Sequence, residues 1–207
     1  MTTALIDYGA SNLHSVRKAL EVAGLSVTVC ADPAEAAGAD ALVLPGQGHF
    51  GQAMQSFLAS GFEPLVREHL ASKKPFLGIC VGLQLLMDAS EEAPGVAGLG
   101  AISGTVKRFP NGQDSVPQMG WNQLELHGYP PLLKGVPAGA FVYFANSYYV
   151  DFEEHLPGSS TSYAGVTFKS AVSNGLLNAV QFHPEKSQQI GLHILRNFKT
   201  IAEAHAG

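Results

Sequence analysis

Along the first 90 positions, apolar residues arrive in short runs separated by glycine, proline and polar clusters. Residues 3–7, 26–30, 40–44 and 75–79 are short apolar or alternating stretches of the kind that form strands. Between them the period becomes helical: 13–23 ahead of Gly24, a short helix opened by Asp32-Pro33, and one or two helices across 50–71. Strand and helix alternate four times, which predicts βαβ units and a parallel sheet. From 102 onward the texture changes to brief β runs broken by Gly, Pro and Asn, at 102–109, 121–126, 141–144, 148–152, 161–166, 168–173 and 176–182. These read as antiparallel hairpins, with Asn174-Gly175 the clearest tight turn. A closing helix over 187–204 aligns Leu192, Leu195 and Phe198 on one stripe. The expected fold is α/β: a mostly parallel sheet flanked by helices with an antiparallel β extension, in a single domain over residues 1–207.

Composition narrows the function. A chain of 207 residues that is 46% hydrophobic and 14% charged carries enough apolar side chains for a well-packed core. A net charge of −5, with no basic cluster longer than Lys73-Lys74, argues against a nucleic-acid surface. Two cysteines without a CxxC motif suit a reducing compartment. The first residues lead into a strand without a basic leader, and no apolar run reaches membrane-spanning length. The expectation is a cytoplasmic protein with no membrane or nucleic-acid contact.

The chemistry gathers on Gly78-Ile79-Cys80-Val81-Gly82-Leu83-Gln84, where an apolar strand gives way to helical spacing at Val81, Leu85 and Leu86. Cys80 falls on the turn with glycines two residues to either side, as a nucleophile elbow requires, because larger side chains there would collide. A helix start would surround the sulfur with free N–H groups that favour its thiolate, and the amide of Val81 would face an oxyanion formed by its attack. Cys30 closes an alternating strand without a glycine bracket and is read as structural.

A cysteine nucleophile needs a histidine and a group to orient it. His14, His69, His193 and His205 fall in helices, where exposure is expected, and His127 and His155 in polar turns. His183 differs, since it ends a strand and is followed at once by Pro184-Glu185. Proline holds it outside the next helix, and Glu185 has reach for Nδ1. Cys80, His183 and Glu185 are the candidate triad. Gly46-Gln47-Gly48-His49-Phe50-Gly51 matches GxGxxG. It follows the third strand instead of the first, and Glu63 and Glu68 fall in a helix, so a mobile glycine loop beside Cys80 is the better reading. No phosphate loop and no convincing metal spacing are present, so neither cofactor nor metal is expected.

Together these motifs resemble the class I, triad-type glutamine amidotransferases. Gly78–Gln84 is similar to their elbow, His183-Pro184-Glu185 to their His-Glu pair and Pro45-Gly46-Gln47-Gly48 to their oxyanion loop. Asp7-Tyr8-Gly9 with Asn12-Leu13, Val116-Pro117-Gln118-Met119-Gly120-Trp121-Asn122, Tyr143-Phe144 with Ser147-Tyr148, and His183–Ser187 resemble the glutaminase subunits of imidazole glycerol phosphate synthase over essentially the whole chain. The resemblance implies that Cys80 attacks the carboxamide of glutamine, forming a γ-glutamyl thioester. His183 serves as acid and then base, and Glu185 orients it. It implies oxyanion donation from the amides of Gln47 and Val81, the former after a peptide flip. It places glutamine against Gly48, Gln84, Ser147 and Tyr148. It further implies a heterodimer with a (β/α)₈-barrel cyclase subunit, contacted near Asn12, Trp121, Tyr143 and Lys186. That partner would use the ammonia, delivered through an internal channel, to make imidazole glycerol phosphate in histidine biosynthesis.

Some positions depart from the family pattern: Gln47 stands where Val is usual, Ser11 where Gly is, Gln118 where His is frequent, and Ala145-Asn146 replace Val-His. None touches the triad. Two other readings use the same residues differently: a free-standing γ-glutamyl hydrolase, and a non-catalytic subunit that regulates a partner.

Overall fold

The strand that delivers Cys80 and the strand that delivers His183 are adjacent and parallel, and the rest of the fold supports that juxtaposition. The computed structural model describes residues 1–9, 12–112, 114–153 and 155–206, so Ala10, Ser11, Gln113, Glu154 and Gly207 lie outside the described residues. The first half comprises β1 (Thr3–Ile6), α1 (Leu13–Val22), β2 (Val27–Cys30), α2 (Pro33–Ala36), β3 (Ala41–Leu44), α3 (Phe50–Ala59), α4 (Glu63–Ala71), β4 (Phe76–Ile79) and α5 (Val81–Gln84). β5 (Ala89–Ser90), β6 (Thr105–Arg108), β7 (Gln118–Gln123), β8 (Glu125–His127), β9 (Phe141–Asn146), β10 (Tyr148–Asp151), β11 (Gly158–Tyr163), β12 (Val166–Asn174) and β13 (Leu177–Val180) follow, and α6 (Gln188–Glu203) closes the chain. Short 3-10 turns occupy Pro131–Leu133 and Pro184–Lys186.

The main sheet runs β2-β1-β3-β4-β13-β12-β10-β6-β5, with β11 paired to β12 and β8 to β11. The strands β1, β2, β3, β4 and β13 are parallel, and β12 begins the antiparallel extension. Every residue of β1, β3 and β4 is buried, which is why these strands, Thr3 apart, read as apolar runs. α2 starts as expected, with the Asp32 carboxylate accepting from the Ala34 amide at 2.8 Å. Gly24 ends α1 at φ 94°, a conformation that costs glycine nothing.

Several local expectations are corrected. The helix after Cys80 is a single turn: Leu86 and Met87 donate to the carbonyls of Leu83 and Gln84, three residues back, the Asp88 amide turns to the Gly104 carbonyl, and the carbonyls of Leu85, Leu86 and Met87 go to the amides of Leu99, Ala101, Ile102 and Gly100. Helical spacing at 85–86 therefore reflects burial on both sides of an unwound segment. The run 161–166 is interrupted by Ala164 and Gly165, both at positive φ, which turn β11 into β12. The run 121–126 is split at Leu124: β7 pairs with β9 in a separate two-stranded sheet, while β8 joins the main one. His69 is buried within α4, its Nε2 lying 2.9 Å from the Pro75 carbonyl, and burial pushes its pKa below the usual histidine value. The Asn174-Gly175 turn is present one residue later than expected, with Asn174 paired to Leu177 and Gly175 at φ 62°. His127 ends β8, its Nε2 2.6 Å from Ser160 Oγ.

Candidate active site

Parallel register sets Val180 of β13 beside Ile79 of β4, and the Cys80 amide extends the ladder by donating to the Val180 carbonyl at 2.8 Å. Both chains leave the sheet at their C-terminal ends, where open α/β sheets collect their ligands. Cys80 turns away at φ 54°, ψ −110°, a conformation that a side-chain-bearing residue rarely adopts. The glycine bracket has the expected cause. A methyl on Gly82 would be driven into the Leu44 carbonyl, and one on Gly78 would lie 3.0 Å from the Gly82 carbonyl oxygen. Cys80 itself is buried and makes no disulfide.

β13 ends at Val180, and three residues later His183 is anchored by its amide, which donates to the Tyr143 carbonyl at 2.9 Å. Ser187 Oγ donates to the His183 carbonyl at 2.7 Å. The imidazole Nδ1 donates to Glu185 Oε1 at 2.8 Å, which leaves Nε2 for the sulfur. Asn12 Nδ2 donates to the same carboxylate oxygen at 3.3 Å. Burial opposes charge on the ring. It is outweighed by the charge of Cys80 and a hydrogen bond to it, followed by Glu185, so that the His183 pKa is raised to about 10. The three candidate residues are thus brought together with the ring charged at neutral pH.

Cys80 opens on a cavity of about 250 Å³ lined by Gly48, Val81, Gln84, Glu92, Asn146, Ser147 and Tyr148, among others. Its size suits a ligand of amino-acid dimensions, and all four residues expected to hold glutamine line it. Gln84 is more than a lining residue. Its Nε2 donates to the Tyr148 carbonyl at 3.2 Å and to Gln181 Oε1 at 3.1 Å, and Gln181 Nε2 in turn reaches Cys80 Sγ at 3.6 Å. Gln181 escaped the sequence reading, although its side chain, like that of His183 two positions on, reaches Cys80. Glu92 escaped it as well. It brings a carboxylate to the cavity wall, and its Oε2 accepts from the Phe50 amide at 2.7 Å, at the first turn of α3.

The expected oxyanion donors are not presented. The Val81 amide donates to the Gly46 carbonyl at 3.3 Å. In a planar trans peptide the Gln47 N–H lies opposite that carbonyl and so points away from Val81. The two amides cannot meet one oxyanion until the 46–47 peptide turns over.

Of the residues expected at a partner surface, Trp121 and Tyr143 are cross-strand neighbours on β7 and β9 with ring centroids 6.0 Å apart. Lys186 Nζ sits 5.8 Å from the Tyr143 ring centroid. Asn12 is in left-handed conformation at the start of α1, on Glu185. Met119 and Phe141, exposed by 68% and 51%, extend the same face and were not anticipated. The departures Gln118 and Asn146 prove to be directly paired across β7 and β9, both buried. Among the described residues, no helix is long and apolar enough to cross a membrane.

A thiol on a strained turn, an imidazolium oriented by a carboxylate and an adjoining small polar cavity together suit attack on an amide-type carbonyl. Comparison with known proteins agrees. The family described as glutamine amidotransferase class-I matches residues 4–201. The chain is 53% identical to the imidazole glycerol phosphate synthase subunit HisH of Thermus thermophilus, over 94% of this chain and 95% of that one. It is 50% identical to the HisH subunit of Deinococcus radiodurans, over 94% and 91%. For the subunit of Methanosarcina mazei, identity is 46% over 94% and 96%. Among solved structures, one described as glutamine amidotransferase superimposes with a TM-score of 0.75 at 20% identity, covering 97% of this chain and 98% of that one. PurLQS from Thermotoga maritima gives 0.72 at 16%, covering 98% and 97%, a likeness of fold. The chain belongs to the class-I glutamine amidotransferases, in the family of the HisH subunits of imidazole glycerol phosphate synthase.

Proposed function

We propose that this chain acts as one glutamine amidotransferase domain, residues 1–207, a cytoplasmic glutaminase that works in a heterodimer with a (β/α)₈-barrel cyclase. The Cys80 sulfur attacks the glutamine carboxamide carbon, and the carbonyl π pair moves onto oxygen. His183 gives its proton to the nitrogen as the C–N bond breaks, releasing ammonia and leaving a γ-glutamyl thioester. The sulfur's charge has then gone, and with it part of what held a proton on His183. The neutral ring takes a proton from water, whose oxygen attacks the thioester and frees glutamate and the thiol. Glu185 holds the ring through Nδ1 in both steps. Among the described residues Glu92 is the one carboxylate lining the cavity, and it suits the α-ammonium of glutamine. Ser147 and Tyr148 line the same cavity.

The single observation that favours a partner-dependent glutaminase over a free hydrolase is the Gly46 carbonyl on the Val81 amide. A free hydrolase would gain nothing from covering its own oxyanion donor, whereas a subunit whose ammonia must be captured benefits from waiting. Glutamate release from glutamine, measured for the chain alone and with the barrel cyclase plus its ribotide ligand, tests this. Release should be slow alone and rise by roughly two to three orders of magnitude in the liganded complex, the range that one oxyanion donor supplies. Cys80→Ala should abolish it while leaving ammonia-dependent synthesis intact. Equal release with and without the partner would favour the free hydrolase, and none in either state the non-catalytic subunit.

A further inference from the structure

Tyr8 stands two residues beyond β1, at the C-terminal end of the parallel strands, where Cys80 and the 46–48 loop also lie. It is 5% exposed and packs edge-on against Phe57 of α3, with ring centroids 5.8 Å apart. Its hydroxyl is buried without a hydrogen-bond partner. A methyl group on Gly46 would lie 2.6 Å from that hydroxyl, so the oxygen rests against the Gly46 backbone. Burial, and then the charge of Cys80, push the phenol pKa up, so the group keeps its proton and is a donor. Buried hydroxyls seldom go unpaired, and each exception asks for a reason.

The peptide turn supplies the reason. With the loop as it stands, the Gly46 carbonyl is satisfied by Val81, and it is Tyr8 that lacks a partner. Once the 46–47 peptide turns over, the Gly46 carbonyl is the buried group that loses its donor. Each arrangement, taken alone, strands one of two groups that sit side by side. We propose that Tyr8 is a positioning residue for the open oxyanion loop, its hydroxyl donating to the Gly46 carbonyl after that carbonyl leaves the Val81 amide. The amides of Val81 and Gln47 are then both free for the oxyanion. This rests on the partner-gated glutaminase reading and gives the gate a chemical group. Because the bond exists only in the open arrangement, it shifts the equilibrium toward that state without strengthening the closed one.

Tyr8→Phe, which keeps the ring and deletes only the hydroxyl, separates this from a packing role. Melting temperature, alkylation of Cys80 by iodoacetamide, and kcat and KM for glutamine in the liganded complex are measured beside the parent chain. The melting temperature of the variant should be unchanged or higher, since an unpaired buried group has been removed. Alkylation should be unaltered. Stimulated kcat should fall at least about tenfold with KM within about twofold, the signature of an interaction made on the way to the transition state. Stimulated kcat within about twofold of the parent would overturn the proposal. So would a lower melting temperature with parallel losses of kcat and alkylation, which would make Tyr8 structural. Absence of stimulation in the parent chain would instead bring down the gated reading on which the proposal rests.

Discussion

At the scale of single residues, the site turns on how His183 keeps its proton. Its ordinary pKa of 6.5 rises to about 10 in the folded chain, because Cys80 and Glu185 both favour the charged ring and together outweigh burial. The sign of the linkage follows. A group whose pKa is higher folded than unfolded contributes stability that is complete below the unfolded value and is lost as pH rises through the folded one. The stability difference between the parent and His183→Asn should therefore be largest below about pH 6.5 and shrink as pH climbs toward about 10. Removing the imidazolium also removes the cation facing the sulfur, so Cys80 of the variant should react with iodoacetamide about tenfold or more slowly near neutral pH. Alkylation followed by mass spectrometry from about pH 6 to 9 checks this. An unchanged rate would mean that the ring and the sulfur are not coupled. Glu185 adds the third member at a distance set by Pro184, which forces a 3-10 turn directly after His183 and folds the carboxylate back to 2.8 Å from Nδ1.

At the scale of elements, the cavity is tied to α3 by one carboxylate. Glu92 accepts from the Phe50 amide at the start of α3, and the loop proposed to turn over, 46–48, runs directly into that helix. Glu92→Gln preserves an oxygen for the Phe50 amide but removes the charge that suits the α-ammonium of glutamine. A charge-assisted hydrogen bond is worth about 1.5–3 kcal/mol, so KM for glutamine should rise roughly 10- to 100-fold with a smaller change in kcat. Steady-state kinetics in the liganded complex measure it. KM within about twofold of the parent would assign the α-ammonium elsewhere. Glu92 also marks the limit of what the sequence discloses. The elbow was legible because its residue pattern is local, with Gly78, Cys80 and Gly82 inside five positions, although only the clash at Gly78 is with the motif itself and the one at Gly82 is with Leu44. The same holds for His183-Pro184-Glu185. Glu92 and Gln181 were missed because their partners, Phe50 and Cys80, are 42 and 101 positions away, and neither residue belongs to a local pattern. The length of α5 was misjudged for a related reason. The Asp88 amide and the carbonyls of 85–87 bond to the distant segment 99–104 instead of continuing the helix, and apolar spacing cannot register that competition.

At the scale of the whole molecule, the sheet order does two things at once. Threading β13 between β4 and β12 sets Cys80 beside His183, and the same chain reversal brings β9 against the His183 backbone through the Tyr143 carbonyl. The opposite face of β9 and its neighbour β7 is left uncovered, and there Met119, Trp121 and Phe141 are exposed by 68%, 45% and 51%. Alternation along β7 and β9 explains why these three share a face, with Val142 and Phe144 turned into the core. An exposed cluster of large apolar side chains around an aromatic pair, with Lys186 over Tyr143 at its edge, has the composition of an interface centre. Docking there would press on the strand that holds His183, which gives the partner a direct route to the site. Trp121→Ala, and separately Met119→Ser with Phe141→Ser, should weaken binding of the proposed cyclase partner by about 2 kcal/mol or more, roughly 30-fold in Kd. Because these side chains lie outside the core, melting temperatures should stay within a few degrees of the parent, about the shift that 1 kcal/mol produces in a chain of this size. Titration calorimetry reads the affinity directly. Full affinity in both variants would move the docking surface off this sheet. Weakened binding, with stimulated glutamate release recovered at saturating partner, would show that β7 and β9 recruit the cyclase and that the turn of the 46–47 peptide is driven from elsewhere in the contact.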